Sequence, residues 1–211
     1  MVQHGKQQLA AGLKTVHAAR QRIDEIPGLH VLHGELIREE VSHDLYPFHV
    51  LIDVTGLGIS GYQAADWLRH QCGIDMGVTD SRHTEATFSR SDDEPTATRL
   101  IEALGALKVA APDWPHPPQV KLPAFSDLEQ ETVHLPREAF FGPVEVVPAE
   151  EAAGRIRAEQ ITPYPPGIPA ILPGERIIAN VVEYLRSGVE AGMVLPDPAD
   201  PSLKAIRVVR V

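Results

Sequence analysis

The chain has 211 residues, room for one large domain or two smaller ones of roughly 100–200 residues each. Nineteen basic against 29 acidic residues give a net charge of −10 with histidine neutral, which argues against a nucleic-acid binder working through a basic face and favours cationic over anionic small partners. A single cysteine, Cys72, excludes an intrachain disulfide framework and a Cys-rich zinc site. No apolar run nears the ~20 residues that cross a bilayer, and MVQHGKQQLAAGLK lacks the pattern of a secretory signal, so a cytoplasmic setting is expected.

Proline divides the chain. Of 19 prolines only Pro27, Pro47 and Pro95 precede residue 112, and the other sixteen lie in the last hundred residues. The composition change near Ala110 predicts a first domain over 1–110, a proline-rich connector over 111–134 and a second domain over 135–211. Five prolines in APDWPHPPQVKLPA (111–124) forbid a regular helix there, because proline lacks the amide donor and its ring strikes the preceding turn.

In the first unit, Leu9, Leu13, Val16 and Ile23 form one apolar stripe over Gln7–Ile26, an amphipathic helix ended by Pro27-Gly28. Leu29–Leu32 and FHVLIDV (48–54) read as strands, the second rich in β-branched and aromatic residues. Gly61–Cys72 reads as a helix. Met76–Thr79 and Thr84–Ser89 read as two short strands, and Asp92 or Asp93 caps a helix over Thr96–Leu107. Four residues between the last two strands permit only a hairpin, since parallel neighbours need a crossover of a dozen or more residues. The expected fold is therefore α+β in type: an α/β sandwich with antiparallel strand pairs and helices on one face.

That topology bears on the most conspicuous motif. Gly56-Leu57-Gly58-Ile59-Ser60-Gly61 matches G-x-G-x-x-G, follows a strand, opens a helix and has Asp80 about twenty residues on. A dinucleotide site needs a parallel βαβ unit, so these glycines are read as permitting a tight strand-to-helix turn. Ten histidines show no H-E-x-x-H and no ligand spacing, so no metal is expected. Ser60 in GISGY is not a G-x-S-x-G nucleophile elbow.

In the second unit Val144–Val147 and Lys204–Val211 read as strands, and PAEEAAGRIR (148–157) as a short helix with acidic start and basic end. Prolines 163, 165, 166, 169 and 173 impose an extended path, after which Gly174 caps a helix over Glu175–Ser187. From spacing, Glu175 is either a first-turn carboxylate complementing the helix dipole or a group aimed at a ligand cation from a rigid loop.

TPYPPGIPAILPGE (162–175), preceded by LPREAFFGPVEVVPAEEAAGRIRAEQ (135–160), resembles the C-terminal domain of the Orn/Lys/Arg decarboxylases, bacterial pyridoxal-phosphate enzymes of the aspartate-aminotransferase fold. IPGLHVL, FHVLIDVTGLGISGY and AADWLRHQCGIDMGVTDSR resemble the smaller, aminotransferase-like domain of the same enzymes. The resemblance implies a parent enzyme that decarboxylates arginine, lysine or ornithine, one glutamate serving any of these cationic side chains.

The resemblance also implies site residues. Glu175 would meet the distal ammonium or guanidinium of the substrate, Tyr164 and Pro165 would line the same wall, and Arg82 would be the candidate for the substrate carboxylate. The family's catalytic lysine lies in a Ser-x-His-Lys segment of a large domain. None of Lys6, Lys14, Lys108, Lys121 and Lys204 follows a histidine. No catalytic residue, bound cofactor or metal is therefore expected in this chain, and the decarboxylating unit would need its own large domain and a homodimer or larger homo-oligomer. No nucleic-acid or membrane partner is expected. The alternative is a non-catalytic binding or assembly module that retains the fold.

Overall fold

A computed structural model describes residues 4–37 and 42–210, and the chain divides into two compact units, Met1–Pro117 and Pro118–Val211. In the first unit α1 (Gly5–Asp24), β1 (His30–Val31), β2 (His49–Asp53), α2 (Gly61–Cys72), β3 (His83–Thr87) and α3 (Glu94–Ala110) follow in chain order. The sheet runs β1-β2-β3 with both pairings antiparallel. Beyond β3 the predicted strand 76–79 is a short bridged stretch, held by Gly77 N–H to Glu85 O at 2.7 Å and Glu85 N–H to Val78 O at 2.9 Å. The hairpin is thus antiparallel, as its four-residue connection requires.

Alternation along β2 buries Val50 and Ile52 completely. They join one apolar core with Val16 and Ile23 of α1, Leu68 of α2, and Leu104 and Leu107 of α3. Helix α2 begins where sequence chemistry places it: Ser60 Oγ accepts the Gln63 amide at 3.1 Å while Gln63 Oε1 accepts the Ser60 amide at 2.9 Å. This reciprocal capping box gives Ser60 a structural occupation. Asp93 caps α3 from one side only, accepting from the Thr96 amide and hydroxyl at 3.1 and 2.9 Å.

The glycine fingerprint serves packing. A Cβ on Gly61 would sit 1.9 Å from His83 O, and one on Gly56 2.7 Å from Gly28 O. Gly58 adopts φ +75°, a left-handed backbone suited to glycine. With β2 and β3 antiparallel, the parallel βαβ frame of a dinucleotide site is lacking among the described residues.

The second unit contains α4 (Pro136–Phe141), β4 (Val144–Pro148), α5 (Ala179–Glu190) and β5 (Ala205–Val209). The pair β4–β5 is antiparallel, and successive single bridges extend it. Residues 156–158 bond to β5 (Val209 N–H to Ile156 O, 2.8 Å; Ala158 N–H to Arg207 O, 3.1 Å), 175–177 bond to 155–157, and 131–133 bond to 174–176. The last residue of the strand expected over 204–211, Val211, lies outside the described residues.

Three expectations for this unit are corrected. The helix expected over 148–157 is only a 3-10 turn, Ala149–Glu151. Pro148 is paired with Ala205 in the sheet, Gly154 turns the chain at φ +82°, and 155–158 are claimed by backbone pairing. The helix expected from Glu175 begins at Ala179, because 174–177 are committed to the bridges just described. Of the expected connector 111–134, residues 118–134 belong to the second unit. There the Lys121 amide donates to Ser187 Oγ at 2.9 Å and its ammonium pairs with Glu183.

Candidate functional site

The proline-rich loop begins and ends on one backbone ladder. Ile161 N–H donates to Ile171 O at 3.0 Å and Ala170 N–H to Ile161 O at 2.9 Å, so 161–171 closes as a hairpin. At its tip Gly167 N–H donates to Pro163 O at 3.1 Å, and Tyr164 N–H to Val194 O at 2.9 Å. The proline rings leave few amide donors to satisfy, so these bonds fix the loop. Tyr164 is 54% exposed beside half-buried Pro165, and Ile168, Leu172 and Val194 are exposed too, giving the loop an apolar outer surface.

Leu172-Pro173-Gly174-Glu175 is a β-turn closed by Glu175 N–H to Leu172 O at 3.3 Å, with Gly174 at φ +91°. Proline at the second and glycine at the third position suit a type II turn. Space adds a second demand for glycine, since a Cβ at 174 would lie 2.2 Å from His134 O. The Glu175 carboxylate folds back on this turn, Oε2 accepting the Leu172 amide at 2.7 Å, and the Glu175 carbonyl accepts the Arg157 amide at 2.9 Å.

Beneath the ladder lies an ion pair that sequence reasoning missed. Arg157 is fully buried and Glu159 almost so, with Arg157 Nη2 2.9 Å from Glu159 Oε1 and Nε donating to Glu159 O at 2.9 Å. Glu159 also accepts the Ala199 amide at 2.8 Å and the Arg207 amide at 3.0 Å. Burial, reinforced by the nearby Arg207 charge and opposed by Glu159, lowers the Arg157 pKa to about 10, so the guanidinium is charged at neutral pH. Neither Nη1 nor Nη2 makes a hydrogen bond, so the guanidinium is held by Nε and by charge attraction to Glu159, a pair that is costly to bury. The available signal was the i, i+2 placement of Arg157 and Glu159 between Ile156 and Ile161, a strand periodicity that the helix-like charge order of 148–157 obscured.

In the first unit Arg82 belongs to a separate polar cluster. Its guanidinium donates to Asp53 Oδ2 at 3.2 Å, and His83 stands between two carboxylates, with Nδ1 3.0 Å from Asp80 Oδ2 and Nε2 3.7 Å from Asp53 Oδ2. Hydrogen bonding to Asp80 raises the His83 pKa against the effect of burial. Asp80 is held below the usual carboxylate range despite burial that opposes ionisation, because the His83 ring and the Arg82 and His83 amides donate to it. The sequence-derived candidates therefore fall in two places: Tyr164, Pro165 and Glu175 along one loop of the second unit, and Arg82 in the first.

Residues 118–197 match the family described as Orn/Lys/Arg decarboxylase, C-terminal domain, a match that starts where the chain divides. An arginine decarboxylase of Bacillus subtilis (strain 168) is 32% identical over 209 residues, 98% of this chain and 42% of that protein. An arginine decarboxylase of Bacillus anthracis is 32% identical over the same proportions. Among solved structures, the constitutive lysine decarboxylase of E. coli superposes with a TM-score of 0.68 at 18% identity, over 98% of this chain and 41% of that one. The chain thus spans about two fifths of the length of these relatives. The α+β architecture is shared with the solved lysine decarboxylase.

Proposed function

The chain is related to the C-terminal part of the Orn/Lys/Arg decarboxylases, and we propose that it serves in a pyridoxal-phosphate-dependent lyase acting on arginine, lysine or ornithine. Its part is to supply a wall on the substrate side and surface for homo-oligomeric assembly. The observation carrying this reading is the 162–175 loop: a proline-fixed, backbone-anchored segment that exposes Tyr164 near its tip and ends in a turn braced by the Glu175 carboxylate. A rigid wall of this kind positions a flexible cationic substrate at low entropic cost.

The residues of this chain do not fit pyridoxal phosphate. A Schiff-base lysine must lose its proton in a desolvated or electropositive setting. Here Lys6, Lys14 and Lys204 are exposed, Lys108 is half-exposed near the end of α3, and Lys121 is paired with Glu183. No catalytic step therefore runs through the cofactor on these residues. In this reading the lysine and the ring-nitrogen partner come from the large domain of the parent enzyme, and the 211 residues alone are inactive.

A second reading, a non-catalytic binding or assembly module, is favoured by two observations: the Glu175 carboxylate is engaged by its own turn, and Arg82 is engaged by Asp53. The deciding experiment expresses the whole reading frame containing these residues, adds pyridoxal phosphate, and follows aldimine absorbance and CO₂ release with arginine, lysine and ornithine. Release from one of the three, with the aldimine band missing in the 211-residue chain, supports the lyase. No release from any, with no aldimine band in the whole protein, leaves the assembly reading in its place.

A further inference from the structure

The two tryptophans of the chain, Trp67 and Trp114, meet in the first unit. Trp67 lies on α2, and Trp114 follows a 3-10 turn, Ala111–Asp113, that bends the chain back by Trp114 N–H to Ala111 O at 3.1 Å. Gln63 ties the two segments together, its Nε2 donating to Pro115 O at 3.1 Å while its Oε1 serves the α2 capping box. The ring centroids are 6.2 Å apart and the planes tilt by 48°. Both indoles rest against the core and remain half-buried.

Their outer surfaces line an open concavity of about 400 Å³, completed by Gln63, Asp66, His70, Gln71 and Pro115. The concavity has a charge bias. Asp66 is its carboxylate, no lysine or arginine lines it, and the chain as a whole carries −10. Asp66 is mostly exposed and also meets His70 Nε2 at 3.3 Å. Packing alone explains the inner edges of the two indoles, but not why both are set at the rim of an acidic hollow.

We infer that this hollow is a binding site for a small guanidinium-bearing organic cation. Indole faces attract cations through the ring quadrupole, and a planar, weakly hydrated guanidinium can lie on an aromatic face while its edge donates to a carboxylate. Trp67 and Trp114 supply the faces and Asp66 the carboxylate. The volume suits a small molecule. The site is independent of the catalytic reading, since it uses none of Tyr164, Pro165, Glu175 or Arg82.

The site carries its own reporter, because no other tryptophan emits. Indole fluorescence of the full chain is titrated with methylguanidine, with the neutral isostere methylurea as control at matched ionic strength. The expected result is a saturable change for methylguanidine alone. Trp114→Leu, with Trp67 still emitting, abolishes saturation, and Asp66→Asn, at an exposed position, weakens apparent affinity about 2–5-fold with an unchanged circular-dichroism spectrum. A response linear in methylguanidine, an equal response to methylurea, or saturation kept within about twofold in both variants overturns the proposal.

Discussion

The Glu175 carboxylate accepts the Leu172 amide at 2.7 Å across a turn whose third residue, Gly174, is closed in by His134 O. The carboxylate therefore braces its own turn and does not sit in the first turn of a helix, since α5 begins only at Ala179. The carboxylate shapes the loop, and one oxygen suffices for that. The geometry gives Glu175→Gln and Glu175→Ala different outcomes. The amide oxygen of glutamine still accepts from Leu172, so Glu175→Gln changes urea-unfolding stability little. Alanine removes the acceptor and costs about 0.5–1.5 kcal/mol. If glutamine costs as much as alanine, the negative charge rather than the acceptor holds the turn.

Gly174→Ala should be among the most damaging single-methyl additions in the second unit. At φ +91° an alanine is strained by about 1–3 kcal/mol, and its Cβ would in addition overlap His134 O. A fall in unfolding free energy above about 2 kcal/mol is expected. A neutral result would mean that 133–134 move aside freely.

Arg157→Met leaves Glu159 buried without its cation, so chemical denaturation should show a loss of about 3–5 kcal/mol. Removing both charges in Arg157→Met with Glu159→Gln should recover part of that loss, because the amide oxygen can still accept from Ala199 or Arg207. A double mutant as unstable as the sum of the two singles would show that the residues act independently.

His83 makes stability depend on pH in a defined direction. Its folded-state pKa is raised above 6.5 by hydrogen bonding to Asp80, so its contribution is complete below the unfolded value and fades as pH climbs through the raised one. Asp80, lowered from 3.8, contributes above that unfolded value and is lost as pH falls through the depressed one. Thermal melts of the first unit's signal should thus weaken on both flanks. His83→Gln should remove the alkaline decline, and persistence of the decline in that variant would assign it to another group, such as His30 between Asp24 and Glu35.

The ladder beneath the loop also rests on local side chains. Arg176 bonds Glu131 at 2.7 Å and the Gly154 carbonyl at 3.0 Å, stitching three of the bridged segments. Arg176→Ala should speed amide exchange at 131–134 and 154–157 while leaving β4–β5 protected, a pattern readable by hydrogen exchange. Uniform loss of protection would instead mean that the unit opens as one.

Sequence alone determined what depends on local chemistry. The stripe of Val16 and Ile23, the Pro27-Gly28 stop and the aspartate cap before α3 act within a few positions of themselves, so helices α1, α2 and α3 and strand β2 were legible, whereas Gly174 was read as a helix cap and is the third residue of a β-turn. The antiparallel sense of the hairpin followed from the four residues between its strands, and with it the structural reading of the glycines.

Tertiary structure decided whatever depends on partners distant in the chain. Residues 148–157 have the charge order of a helix, yet pairing with 207–209 and 175–177 outweighs a weak local preference. The same pairing moves the start of α5 to Ala179 and takes Glu175 out of a helix. The burial of Arg157 with Glu159 and the meeting of Trp67 with Trp114 across 47 positions depend on which segments the core brings together. Side-chain periodicity records which face is buried but not what lies against it.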